Sequence, residues 1–212
     1  MRKIQLLATL AVVMMASAFT WFVQPQEKFI VLLTDSKVHW LAKKVTGQHE
    51  GDVLLKSGEV TMDKKKLKSG SFEIDMNSIT CTDIKDAGTN KKLLGHLKSS
   101  DFFSVEKHKT ASLIITSAKA IEGTSMMAEM ADDKSEGYEV VANLTIKEKT
   151  APVTFKVYVL QTGKTVTAKA KLTFDRTKYD IQYGSASFFE GLGDRAIYND
   201  VELTINVTAK TK

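Results

Sequence analysis

Four histidines, one cysteine and two Asp-Arg pairs are the side chains in this chain best suited to chemistry. His39, His49, His96 and His108 stand far apart, and none has a second histidine at ligand spacing. A metal centre built from His39, His49 and nearby carboxylates would have to assemble in three dimensions. Scattered histidines on strands more often serve as hydrogen-bonding surface groups, so no metal ligand and no cofactor is assigned. His96 is read as a pin at the corner where a helix gives way to a strand. Cys81 has no partner for an internal disulfide, and a thiol nucleophile needs a positioned base. Its Ser/Thr-rich surroundings, Ser78 to Thr82, suit a structural thiol. Asp175-Arg176 and Asp194-Arg195 read as surface ion pairs. Gly191-Leu192-Gly193 lacks the third glycine of a dinucleotide loop, and Gly184-Ser185-Ala186-Ser187 lacks the glycine that a nucleophile elbow places two residues after its serine. No catalytic residue is assigned, and the expectation is a protein that is not an enzyme.

The side chains must therefore be read for what they bury. With 43% hydrophobic and 26% charged residues, 212 residues suffice for one well-packed domain. The 30 basic and 25 acidic residues give a net +5, which falls to +3 if Arg2 and Lys3 leave with a leader. The charges are mixed along the chain, and Lys64-Lys65-Lys66 reads as a solvated turn, so nucleic acid is excluded as a partner. Residues 1–18 have the form of a signal peptide: a basic start, an apolar run from Ile4 to Met15, and Ala16-Ser17-Ala18 before the expected cut. Uncut, Ile4 to Val23 is long enough to anchor the protein in a membrane. Residues 19–28 read as a linker and 29–212 as a single domain, placed in the periplasm or secreted.

Alternation of period two dominates that domain, the mark of strands with one apolar face. It is clearest in Tyr138–Ile146, Val153–Val159, Val166–Phe174, Val201–Ala209 and Phe72–Met76, with shorter strands expected at Val38–Lys44, Gly51–Met62 and Ala111–Ala118. Lys147-Glu148-Lys149 and Thr162-Gly163-Lys164 are turn-sized, which makes consecutive strands antiparallel. Asp83–Ser99 reads as a helix through Leu93, Leu94 and Leu97, Thr124–Glu136 as a Met-rich insertion, and Gly191–Tyr198 as a loop or helical turn. Periodicity leaves a sandwich and a closed barrel equally open.

Several segments in order resemble the YceI-like family: Gly70 to Ile79, Leu93 to Phe103, Ala142 to Val153, and Asp175 to Tyr179 with Tyr183-Gly184-Ser185 and Leu192-Gly193-Asp194. The resemblance implies an all-β fold, an extended antiparallel lipocalin-like barrel of about eight strands with one or two short helices in its connections. It also implies a polyisoprenoid lipid or isoprenoid quinone held inside by a periplasmic carrier or buffer. On that reading Phe72, Ile74, Met76, Phe102, Leu144, Phe155, Val157, Ala168, Ala170, Phe174 and Phe188 line an apolar interior. Arg176, Tyr179 and Tyr183 meet a polar headgroup at the mouth. A transient membrane contact and a dimeric state are compatible with it. Two other readings stand beside it: a stress-response or protein-interaction module with a filled barrel, and an enzyme acting on an isoprenoid through His39, His96 and Asp101. The chain departs from the family pattern at Lys109, where proline is usual, at Glu148, where glycine is common in the turn, and in the length of Thr124–Glu136.

Overall fold

The structure is a computed structural model that describes residues 26–121 and 134–211. The proposed leader, most of the linker and the Met-rich insertion up to Asp133 lie outside those residues. Among the described residues the strands are β1 (Glu27–Val31), β2 (Lys37–Lys44), β3 (Gly47–Asp63), β4 (Lys66–Asp75), β5 (Thr110–Ala120), β6 (Glu136–Ile146), β7 (Lys149–Thr162), β8 (Thr165–Asp175) and β9 (Ile197–Thr211). One α-helix, α1 (Ala87–Lys98), and four 3-10 turns complete them. No helix among the described residues is long and apolar enough to cross a membrane.

All pairings are antiparallel, and from β2 the sheet runs through β9, β8, β7, β6, β5, β4 and β3 back to β2. It is a closed barrel, and among the described residues the start of β3, which extends past β4, is the stretch of edge that another segment must cover. Nine strands make eight wall positions, because β1 and β2 share one. β2 lies between the first half of β3 and the first half of β9, while β1 pairs Glu27–Ile30 with Glu59–Met62 and Phe29–Val31 with Ala209–Thr211. The wall breaks between them at a 3-10 turn, Leu33–Asp35. Ser36 bridges the break: its hydroxyl donates to the Leu32 carbonyl at 2.7 Å and accepts the Thr208 N–H at 3.1 Å. β1 was not legible as a strand, and it begins at Glu27, ahead of the Phe29 boundary read from the sequence.

Alternation sets which side chains face inward. On β8, Val166, Ala170, Leu172 and Phe174 are buried while Thr167, Lys169, Lys171 and Thr173 face solvent. On β6, Tyr138, Val140, Ala142, Leu144 and Ile146 are buried in the same way. Two-residue turns join β3 to β4 and β6 to β7. Both central residues in each have positive φ, Lys64 and Lys65 at 50° and 66°, Lys147 and Glu148 at 49° and 61°. That left-handed geometry follows the twist of the flanking strands. It explains how the turn tolerates Glu148 where glycine is common: the strands on either side impose the conformation on an ordinary residue.

The two ends of the barrel differ. At the end carrying the β3–β4 and β7–β8 turns, Phe29, Met62, Tyr138, Val140, Val166 and Ala209 are shielded from solvent and fill the bore. The Tyr138 hydroxyl accepts the Leu67 N–H at 3.2 Å and donates to the Glu136 carboxylate through a short bond. Burial, seconded by Glu136, pushes this phenol up to about 12. Phe29 is thus a wall residue of the plugged end. Phe29→Ala should lower stability by about 3 kcal/mol or more in chemical denaturation, and a loss under about 1 kcal/mol would show that β1 is not part of the packed wall.

Candidate functional site

Away from the plug the bore is not filled. Two adjoining cavities lie along it, one of about 80 Å³ at mid-barrel and one of about 120 Å³ toward the end that carries α1. They share Val38, Ile74, Leu144 and Leu203 as walls. Every residue around the first is apolar, and Arg176 is the one charged residue on the second. The mid-barrel space exists because Ala168 and Ala170 of β8, opposite Phe72 of β4 and beside Phe155 of β7, are small where larger β8 side chains would fill the bore.

Three stretches of chain cover the helix end. The first is 76–84. After the Met76–Ser78 turn it runs along the free edge of β3, with the N–H groups of Thr80 and Thr82 donating to the carbonyls of Asp52 and Glu50 at 2.9 and 2.8 Å. Gly51 makes this approach feasible, since a Cβ there would stand 1.9 Å from the Thr80 carbonyl oxygen. Trp40, paired across the sheet with Gly51, sends its indole N–H to the same oxygen at 3.1 Å. The second stretch is α1 with residues 99–109. Asp86 caps the helix by accepting the Thr89 N–H at 2.8 Å, and Leu93, Leu94 and Leu97 turn toward the core. The third is 176–196. His96 ties the last two together, its ring edge-on to Phe102 and Tyr183 at centroid distances of 4.9 and 4.6 Å.

The apolar residues named from the sequence fall as follows. Phe72, Phe155, Val157, Ala168 and Ala170 line the mid-barrel cavity, Met76, Phe102 and Phe174 the outer one, and Ile74 and Leu144 both. Phe188 does not line either cavity. It is 49% exposed in a turn where its N–H donates to the Ser185 carbonyl, and the strand alternation that aimed it inward does not operate there. Sequence reasoning missed Trp40, Ile79, Leu97, Ile181 and Ile197 on the outer cavity. Of these, only Trp40 lay in a segment read as a strand, and its alternation with Val38 was the signal available.

The polar residues assigned to the mouth need larger corrections. Tyr183 is at the rim and exposed. Tyr179 is fully buried, packed edge-on against Phe174, and does not line either cavity. Burial, then the nearby Asp175 charge, pushes its phenol up to about 12. Arg176 is only 3% exposed and is a strap. Its Nε, Nη1 and Nη2 donate to the carbonyls of Tyr198, Ile181 and Ile197 at 3.1, 2.8 and 3.1 Å. Burial pulls the guanidinium below its ordinary value, with Asp175 acting in the opposite direction. The pair read as a surface ion pair is thus a buried cation that fastens 181 and 197–198 to the end of β8.

The histidines also settle into separate places. His39 sits on the outer wall with Nδ1 at 2.9 Å from Asp52. His108 is 3.6 Å from Glu148. His96 and Asp101 meet at 3.2 Å and pin the helix-to-strand corner, but neither lines a cavity.

Residues 21–209 match the family model described as a YceI-like domain. The chain belongs to the YceI-like domain family. Among solved structures, this YceI-like chain is similar to BcnA of Burkholderia cenocepacia at 23% identity and a TM-score of 0.63, over 85% of this chain and 99% of that one. It is similar also to a polyisoprenoid binding domain from Saccharophagus degradans at 14% identity and a TM-score of 0.62, over 87% of this chain and 98% of that one. Both likenesses show the shared barrel fold. Among curated proteins, no sequence matches the chain.

In this YceI-like barrel Arg176 holds the cover of the outer cavity. Arg176→Ala should cost about 3 kcal/mol, because one buried and two partly buried carbonyls lose a charged donor. Arg176→Lys should recover less than half of that, since an ammonium cannot reproduce the guanidinium fork. Denaturant titration of both variants checks this, and an Arg176→Ala loss below about 1 kcal/mol would contradict the strap.

Proposed function

We propose that this protein binds a polyisoprenoid lipid or isoprenoid quinone in the barrel interior, as a non-catalytic carrier or buffer. The observation that carries the reading is the pair of adjoining apolar cavities between a plugged end and a covered end. Such a space recognises shape and dryness. A buried methylene contributes about 0.8 kcal/mol, so roughly two isoprene units can supply most of a micromolar affinity. An engineered cavity of about 150 Å³ takes up a benzene ring, so each space here is on the scale of one isoprene unit. A longer tail must shift flexible lining residues such as Met76 and Leu55, or lead out beneath the cover. The name of the Saccharophagus degradans neighbour, a polyisoprenoid binding domain, supports the ligand class.

The same reading places the protein in the periplasm, supported by the signal-like segment 1–18. Its cargo would be exchanged with a membrane in a transient contact. The exposed aromatics at the covered end, Tyr183, Phe188, Phe189 and Tyr198, supply amphipathic surface for it.

Native mass spectrometry of protein purified without detergent, followed by incubation with an isoprenoid quinone or a polyprenol, tests the reading. The expected result is one lipid per chain. Ala168→Phe and Ala170→Phe, which put a ring into the mid-barrel space, should weaken binding at least about tenfold while the fold remains. An unliganded mass after both incubations, or full binding by these variants, would shift the reading to an interaction module with a filled barrel.

A further inference from the structure

We propose that His49, Cys81 and Asp83 form a zinc-binding site on the rim of the barrel, outside the apolar interior. Nδ1 of His49, Sγ of Cys81 and a carboxylate oxygen of Asp83 all lie within 4.8 Å of one another. His49 Nδ1 is 2.8 Å from Asp83 Oδ2, and Cys81 Sγ is 3.1 Å from Asp83 Oδ1. With metal–ligand lengths of about 2.0–2.3 Å, a tetrahedral ion sets neighbouring donor atoms roughly 3.3–3.7 Å apart. The three donors reach that arrangement by small side-chain shifts.

The donors are held by backbone that is already fixed. His49 stands at the start of β3. Cys81 and Asp83 lie on the 76–84 segment, which Thr82 ties to β3 through its N–H and its hydroxyl, both donating to the Glu50 carbonyl at 2.8 and 3.2 Å. The Glu50 N–H donates to Asp83 Oδ1 at 3.0 Å. Asn90 of α1 donates to the carbonyls of Cys81 and Ile84 at 2.8 and 3.0 Å. Cys81 is buried beneath His49 and Asp83, whose side chains are 33% and 28% exposed. An ion can reach the site from solvent on that side.

The donor set selects the metal. One thiolate, one imidazole and one carboxylate are the ligand types of Zn²⁺. The carboxylate is a poor ligand for Cu⁺, and the thiolate for Mg²⁺ or Ca²⁺. Three protein ligands leave a fourth position for water. Asp83 is ready as a carboxylate: burial works against its charge, but hydrogen bonds from Glu50, His49 and Cys81 outweigh it and hold the group well below its ordinary range. The Cys81 thiol is held up, first by burial. Coordination therefore releases the Sγ proton to solvent, and the proton on Nδ1 of neutral His49 is replaced by one on Nε2. The bound ion would fasten to β3 the segment that carries Ile79 into the wall of the outer cavity.

The test is Zn²⁺ titration of the reduced full-length protein against a chromophoric chelator, with Co²⁺ as a spectroscopic substitute. The result expected is one ion per chain and a thiolate-to-cobalt charge-transfer band. Apparent affinity should rise about tenfold between pH 7 and pH 8, roughly one proton being released. Zn²⁺ should slow alkylation of Cys81 in the wild-type protein, a readout that needs no variant to fold. His49→Ala and Cys81→Ser should each weaken binding at least tenfold. An unchanged alkylation rate with no charge-transfer band would overturn the site, as would Zn²⁺ binding that survives both substitutions.

Discussion

Closure of the sheet through β3 is the constraint on which the rest depends. Its 17 residues pair with β2 on one side, with β4 on the other, and with β1 where β2 has ended. A register shift in the β3–β4 ladder between Leu55 and Ser57 bends the strand where its partner on the opposite side changes. Eight wall positions then fix the bore. A barrel of that size is just wide enough for side chains to fill or for one small ligand to enter. Residue size decides between those outcomes. Tyr138, Phe29 and Met62 fill one end, while Ala168 and Ala170 leave room at the middle.

Among the described residues, that asymmetry leaves the outer cavity toward the helix end, away from the plug. Its cover is held by a few specific bonds and by buried side chains on either side of α1, among them Ile79, Phe102, Tyr179 and Ile181. Gly51 lets 76–84 cross close, Trp40 anchors it, and Arg176 clamps 181 and 197–198 from below. α1 itself has no fully buried residue. This helix can yield locally while the ladders of the barrel stay intact, since segments with few buried contacts open at lower cost than the global fold.

Much of the wall was legible in the chain because β6 to β9 alternate over most of their length, and alternation is the direct imprint of one buried face. What was not legible depends on register between distant segments. β1 is five residues long, begins with charged Glu27 and Lys28, and becomes a strand only because β3 and β9 present unpaired edges to it. The ring of Phe188 follows a turn, so its direction could not be taken from period two. Arg176 beside Asp175 read as half of a surface ion pair, and the family resemblance made it a donor to a headgroup at the mouth. Its carbonyl acceptors are 5, 21 and 22 residues away, and only the fold brings them together. His49 and Cys81 are likewise joined by hydrogen bonds of Thr80 and Thr82 to β3, a contact that no spacing along the chain announces.

The central claim is that the interior receives a ligand from the covered end, and Trp40 reports on it directly. It lines the outer cavity and lies under the 76–84 segment. With Trp21 replaced by phenylalanine it is the sole tryptophan of the chain. Titrating that variant with an isoprenoid quinone should quench Trp40 fluorescence to a plateau at one quinone per chain. Fluorescence that stays constant, or that falls linearly without saturation, would contradict a ligand in the bore.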